Sequence, residues 1–197
     1  MLLKSFSKIN LSLRVNKKLK NRELHDIQSY FCMVNLFDQL VIKKNKGPKD
    51  IIKFHGKFAR HVNNAENSVV DTLRILRKKN VISNFYTVLV NKKIPVFSGM
   101  GGGTSNAHCL IKHFIKKKID KNFSSTLERK IGSDLKIFFY KQGFLKNNRT
   151  IKNFKKKHRL FFLLVYPNIC CSTKLIYSKI KNYCPKSKYI FSKINDK

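Results

Sequence analysis

A chain of 197 residues, 42% of them hydrophobic, is long enough to bury a core, and its short periodic apolar runs exclude a disordered composition. The longest apolar run, 160–166, is far too short to span a bilayer, and Lys4 and Lys8 interrupt the N-terminus before a signal-peptide core could form, so a cytoplasmic protein is expected. Forty-three Lys and Arg against ten Asp and Glu give a net charge of +33, which raises RNA or an anionic lipid surface as a partner.

In chain order, SFSKINLSLRV at 5–15 alternates Phe6, Ile9, Leu11, Leu13 and Val15 with polar residues and predicts a strand. IQSYFCMV and DQLVIKK, within 27–44, predict two further strand-like runs separated at Asn35 to Asp38. NKGPKD at 45–50 is a turn, and IIKFHG at 51–56 is another short strand. Ser68 and Asp71 stand at capping-box spacing ahead of an apolar stripe of Val69, Val70, Leu73 and Leu76, which predicts a helix started by Ser68. FYTVLV at 85–90 reads as a buried strand. After a glycine stretch at 99–103, Ala107, Leu110, Ile111 and Phe114 form the stripe of a second helix. A third helix at 124–131 is expected to be capped by Ser124 or Ser125. LFFLLVY at 160–166 reads as a central strand, and STKLIYSKIK at 172–181 as a helix. The mixed order suggests an α+β fold rather than a regular βαβ series.

The lysines are spread along the whole chain, with KKK runs only at 116–118 and 155–157, and arginine is sparse. No helix-turn-helix, zinc-finger or RRM signature accompanies them, so a compositional bias toward Lys, Asn, Ile and Phe accounts for the charge better than a dedicated nucleic-acid site. Cys32, Cys109, Cys170, Cys171 and Cys184 form no CxxC pair and no zinc-ligand spacing, and read as neutral thiols.

The informative stretch runs from Lys92 to Ala107, between a strand and an amphipathic helix. Its residues Pro95, Val96, Phe97, Ser98, Gly99, Met100, Gly101, Gly102, Gly103, Thr104 and Ser105 combine glycines, which let backbone N–H groups approach a ligand, with the positive end of the following helix. That combination makes a phosphate site. Thr104 or Ser105 could cap the helix or contact phosphate or Mg²⁺. A P-loop is excluded because Gly103 runs directly into Thr104 without a lysine, and a dinucleotide fingerprint fails at the same threonine. A glycine turn without a ligand is the alternative.

The pattern P-x-x-x-G-M-G-G-G-T-S-N-A resembles the ATP-binding loop of the GHMP kinases. SFSKINLSLRV at 5–15 and IGSDLKIFF at 131–139 are similar to two further segments of one branch, the 4-diphosphocytidyl-2-C-methyl-D-erythritol kinases, in the same order and spacing. The resemblance implies a GHMP-kinase N-terminal domain (ribosomal protein S5 domain 2-like) over 1–157 and the start of a C-terminal α+β domain over 158–197. It implies ATP and Mg²⁺ as cofactors, and phosphorylation of the 2-hydroxyl of a cytidine diphosphate-methylerythritol in the non-mevalonate isoprenoid pathway. Lys8 and Asp134 would be the catalytic pair, with Asp134 taking the proton of the attacking hydroxyl and Lys8 orienting both groups. Pro95 through Ser105 would hold the ATP phosphates, and Asn67 would lie near the nucleotide. Asn10 would help hold the substrate, His25 would hydrogen-bond its cytosine and Tyr177 would stack on that ring.

The chain departs from the family pattern in several places. Phe97 and Ser98 stand where glycines or alanine are usual, so Phe97 is expected to crowd the loop. Leu24 replaces a stacking tyrosine, Lys136 a proline and His108 an alanine. No glycine follows Gly143, whereas the family carries a third, GTG-type motif in its C-terminal domain, so the chain is expected to lack part of that domain and to be catalytically poor by itself. The alternatives are another GHMP small-molecule kinase, and a degenerate basic protein that holds RNA or anionic lipid on the same fold. Membrane or specific nucleic-acid partners are not expected from the main reading.

Overall fold

The computed structural model describes residues 1–19, 25–116, 119–167, 169 and 173–187. Leu24, Lys117, Lys118, Cys170, Cys171, Ser172 and the last ten residues lie outside the described residues.

Six strands form one mixed sheet. β1 (Leu2–Lys18) pairs antiparallel with β2 (His25–Asn45) along nearly its whole length. On its other edge β2 pairs with β4 (Phe85–Asn91) through 39–45 and with β5 (Gln142–Asn147) through 29–32. β3 (Ile51–His55) lies outside β4 and β6 (Thr150–Asn153) outside β5, so the order is β3-β4-β2-β5-β6 with β1 against β2. β3 and β4 are parallel, which requires a crossover, and α1 (Ser68–Lys78) supplies it. α2 (Gly102–Phe114) follows the glycine loop, α3 (Lys121–Ile131) comes next, and a short α4 (Thr173–Ser178) is the last described helix.

The main core lies between one sheet face and α1, α2 and α3. It contains Leu40, Ile42, Val88 and Val90 from the strands, Leu73 and Leu76 from α1, Leu110 and Ile111 from α2, and Phe123 and Leu127 from α3. The helical stripes expected from the sequence face this core. Tyr30 and Phe31, adjacent on β2, enter two smaller clusters because successive strand residues point to opposite faces.

Several expectations are corrected. The two runs expected within 27–44 are one continuous strand, because a bulge opposite Phe6 and Ser7 of β1 absorbs the polar residues near 35–38. On β1 the buried residues are Ser5, Ser7, Lys8 and Asn16, while Phe6, Leu11 and Leu13 are exposed. The polar side of the strand faces inward because α2 and the glycine loop present hydrogen-bonding groups to it. α1 is capped by Asn67 rather than Ser68: the Asn67 carboxamide oxygen accepts from the Val69 and Val70 amides at 3.0 and 3.1 Å. α3 begins earlier than expected, at Lys121, and Asp120 caps it by accepting from the Phe123 amide at 2.8 Å.

The largest correction is 160–166, which forms no strand. Leu160 to Val165 are exposed, Phe161 to 81%, and the run pairs with no described strand. Tyr166 alone turns inward, edge-on to Phe58. The helix expected over 172–181 is present only over the six residues of α4.

Candidate functional site

The glycine loop leaves β4 and delivers its backbone to the start of α2. Gly101 is the N-cap, with φ 70° and ψ 28°, a left-handed conformation that glycine adopts without a Cβ penalty. A Cβ at Gly101 would also stand 2.7 Å from the Phe138 ring and 3.6 Å from Lys8 Cε. No side chain caps α2, and the first helical bond from beyond the cap runs from the Ser105 amide to the Gly101 carbonyl. The amides of Gly102, Gly103 and Thr104 are thus the unpaired donors that a helix start presents to an anion. The Ser68 hydroxyl donates to the Gly103 carbonyl at 2.6 Å, which ties the start of α1 to this loop. Ser98 closes the preceding turn by donating to the Pro95 carbonyl at 2.7 Å. Val96 and Met100 are half-buried in this turn, whereas a Cβ at Gly99 would meet nothing within 4 Å.

Phe97 does not crowd the loop. Its ring is 52% exposed, and the cost falls on the backbone, which is left-handed at φ 60°. For an L-residue that conformation costs about 1–2 kcal/mol, which explains why glycine suits the position better.

Lys8 and Asp134 come together at the mouth of this loop. Lys8 Nζ lies 3.2 Å from Asp134 Oδ2, with the lysine side chain 7% exposed and the carboxylate 33% exposed. The Lys8 ammonium also donates to Asn10 Oδ1, and Asn10 Nδ2 donates to Ser29 Oγ at 2.6 Å, so the amine is held from two directions. The Lys8 amide donates to the Met100 carbonyl at 3.0 Å, which fixes β1 to the glycine loop. Asp134 stands just before the 3-10 turn Leu135–Phe139, and the preceding Gly132, at φ 145°, approaches α2 so closely that a Cβ on it would stand 3.2 Å from Thr104 Oγ1. An open carboxylate beside a buried ammonium and a row of free amides can take a proton from a hydroxyl and stabilise phosphoryl charge.

Of the two hydroxyls that follow the glycines, Ser105 is committed elsewhere. It is buried, donates to the Phe6 carbonyl at 2.6 Å and accepts from Ser5 Oγ at 2.8 Å. Thr104 remains half-exposed at the helix start. Asn67 is likewise occupied, capping α1 through its oxygen and donating from its amide to the Asn63 and Asn64 carbonyls at 2.9 and 3.2 Å.

A buried polar network beneath the loop has no counterpart among the sequence expectations. Asp38, fully buried, pairs with the Lys92 ammonium, which is 3% exposed. Its other oxygen accepts from the Lys93 and Ile94 amides at 2.8 and 2.9 Å, just before Pro95. Asn106 of α2 donates to Asp38 Oδ2 at 3.0 Å and to Ser5 Oγ at 2.9 Å, and accepts from Lys92 at 3.3 Å. The scarcity of acids in this chain is the one sequence signal that points to Asp38.

His25 and Tyr177 are brought together, with ring centroids 5.2 Å apart. Burial and then the Asp134 carboxylate push the Tyr177 hydroxyl above its ordinary pKa. Tyr183 also contacts His25, at 6.0 Å, and nothing in its sequence neighbourhood marks it out. His108 packs edge-on to Phe139 at 4.5 Å, and burial, with Lys112 adding to it, lowers its pKa to about 4. Lys136, in the same turn as Phe139, pairs with Glu128 at 3.4 Å. Among the described residues no helix is long and apolar enough to cross a membrane, and no His, Cys, Asp and Glu cluster could hold a metal ion.

No protein-family model matches the chain. It is 37% identical over 186 residues to the 4-diphosphocytidyl-2-C-methyl-D-erythritol kinase of Pelagibacter ubique, covering 92% of this chain and 65% of that protein. It is 30% identical over 185 residues to the protein of the same name from Ureaplasma urealyticum, covering 91% of this chain and 69% of that one. The chain therefore spans about two thirds of the length of the curated relatives it matches. A crystal structure of 4-(cytidine 5'-diphospho)-2C-methyl-D-erythritol kinase superposes with a TM-score of 0.65 at 20% identity, covering 94% of this chain and 67% of that one. The mevalonate kinase of Methanococcus jannaschii superposes at 0.52 with 13% identity, covering 79% and 56%. These superpositions show the GHMP-kinase fold expected for the chain.

Proposed function

Since this chain belongs to the 4-diphosphocytidyl-2-C-methyl-D-erythritol kinase family, we propose that it takes part in transfer of the ATP γ-phosphoryl group to the 2-hydroxyl of 4-diphosphocytidyl-2-C-methyl-D-erythritol. The observation that carries this reading is the ion pair of Lys8 and Asp134 at 3.2 Å, set against the free amides of α2. Relatives named for this substrate favour it over a sister substrate of the same fold.

Asp134 accepts the proton of the 2-hydroxyl as its oxygen bonds to the γ-phosphorus and the bond to the β-phosphate oxygen of ATP breaks, releasing ADP. Lys8 holds the carboxylate and the attacking oxygen in line, and Asn10 fixes Lys8. The amides of Gly102, Gly103 and Thr104 bind phosphate oxygens, and the turn from Pro95 to Met100 leads the chain into them. The α2 start fits a nucleotide because no side chain caps it, and Gly101 lets the loop pack against Phe138 and Lys8 where a Cβ would collide. Mg²⁺, when bound with ATP, would neutralise phosphate charge, and Thr104 is the hydroxyl free to reach it. His25 and Tyr177 bind the cytosine, positioning the hydroxyl near Asp134. Asn67 acts on the nucleotide side indirectly, by capping the helix whose Ser68 holds Gly103.

We assign 1–157 to the ATP-binding domain and 158–197 to the beginning of a second one. Phe154, buried with Tyr30 and Phe144, is the last core residue before the exposed run, which supports a boundary there.

The test is ADP release dependent on the methylerythritol substrate, compared between the unaltered chain and Asp134→Asn. A loss of about 10²-fold or more is expected. Equal, nonzero rates would remove Asp134 from the mechanism.

A further inference from the structure

The ladder between β2 and β5 ends at Ser29 and Leu145, short of the strand end that carries His25. Beyond it Asn148, in the turn between β5 and β6, takes over. Its Nδ2 donates to the His25 carbonyl at 2.6 Å, and its Oδ1 accepts from the Ile27 amide at 3.3 Å.

The backbone carbonyl of Asn148 accepts in turn from the Lys136 ammonium. Lys136 belongs to the 3-10 turn Leu135–Phe139 that Asp134 opens, and the Ile137 amide of that turn donates to the Asp134 carbonyl at 2.9 Å. The same ammonium pairs with Glu128 of α3 at 3.4 Å, and Glu128 accepts from Ser124 Oγ at 3.4 Å. An ion pair open to water contributes little, but the Lys136 side chain is only 18% exposed and its charge strengthens both bonds. One ammonium thus joins α3, the turn of Asp134 and the hairpin turn that grips the start of β2.

We propose that Lys136 is a positioning residue for phosphoryl transfer: through Asn148 it fixes the turn that carries the Asp134 carboxylate against the strand end that carries His25. This deepens, and rests on, the reading of the chain as a cytidyl-substrate kinase, in which Asp134 takes the proton and the start of β2 holds the substrate. Reacting atoms must be held at about 3–3.5 Å, and a misplacement of about 1 Å can cost about 10²-fold in rate. A brace between the two carriers therefore acts on turnover, through the backbones it joins.

The experiment compares the full unaltered chain with Lys136→Met, which keeps the stem and removes the ammonium, and with Lys136→Arg, which keeps a cation able to reach both oxygens. In ADP release with the methylerythritol substrate, Lys136→Met should lower kcat about tenfold and leave the KM for ATP within about twofold, while Lys136→Arg should recover most of the loss. Amide hydrogen exchange followed by NMR should show Ile27 exchanging at least about fivefold faster in Lys136→Met, with the core amides of Val88 and Val90 unchanged. Unchanged core rates also report that the variant is folded; if it does not fold, Lys136→Leu in its place must show the same changes. Equal kcat in the unaltered chain and the methionine variant, or a loss that Lys136→Arg shares in full, overturns the role of Lys136 alone. Absence of turnover in the unaltered chain overturns that role together with the kinase reading, even where Ile27 responds.

Discussion

Replacing Asp38 by alanine should be the most damaging single change away from the reacting groups. The substitution strands the Lys92 ammonium in the interior, 3% exposed, and removes the acceptor of the Lys93 and Ile94 amides. Breaking a buried ion pair from one side costs about 3–5 kcal/mol, and each orphaned buried amide adds about 1–3 kcal/mol if water cannot reach it. Against a total stability of about 5–15 kcal/mol, the lower end of that range is already severe. Urea unfolding followed by far-ultraviolet circular dichroism should show the midpoint falling by at least about 1 M, given a slope of about 1–3 kcal/mol per molar. Asp38→Asn with Lys92→Met removes both charges and keeps an oxygen for the two amides. It should be more stable than Asp38→Ala by at least about 1 kcal/mol. If Asp38→Ala unfolds within about 1 kcal/mol of the unaltered chain, the network is not what secures the strand end and the loop that follows.

Gly101→Ala should lower ADP affinity at least about tenfold, because it combines a left-handed backbone with a 2.7 Å approach to Phe138. Gly99→Ala, with a similar φ of 74° and nothing within 4 Å, bears only the backbone cost and should lose less; equal losses in a calorimetric titration would refute the steric argument. His108 has a pKa lowered to about 4, so the unfolded chain binds its proton first as pH falls. Its contribution to stability is therefore whole above about pH 6.5 and is lost between about 6.5 and 4, by up to about 3 kcal/mol. Urea midpoints of His108→Ala should fall less steeply across that window than those of the unaltered chain, and parallel profiles would contradict the assignment.

Local signals carried much of the site. Lys8 sits in an alternating run, and the glycines precede an apolar stripe of helical spacing, so strand, loop and helix could each be read from neighbouring residues. The Asp38 network could not be, because Asp38 joins residues 54 to 68 positions away and neither Lys92 nor Asn106 has a distinctive spacing to it. The cap of α1 differs by one residue from the sequence expectation because Asn67 and Ser68 are both good capping residues, and the loop at 63–67 that Asn67 also binds makes the choice. The burial of β1 is inverted in part because the polar groups that receive Ser5 and Lys8, the Ser105 hydroxyl and the Met100 carbonyl, lie far along the chain and leave no mark in the alternation itself. The run 160–166 has the composition of a central strand, but a central strand needs partners on both edges and two covering layers, and 160–166 pairs with no described strand.

The most direct measurement follows the label from [γ-³²P]ATP into 4-diphosphocytidyl-2-C-methyl-D-erythritol in the presence of Mg²⁺. The account predicts label in the 2-phosphate of the product with the unaltered chain, at least about 10²-fold less with Asp134→Asn, and a comparable loss with Lys8→Met. Labelled product at equal rates from the unaltered and Asp134→Asn chains would contradict it, as would release of labelled inorganic phosphate with none in the sugar.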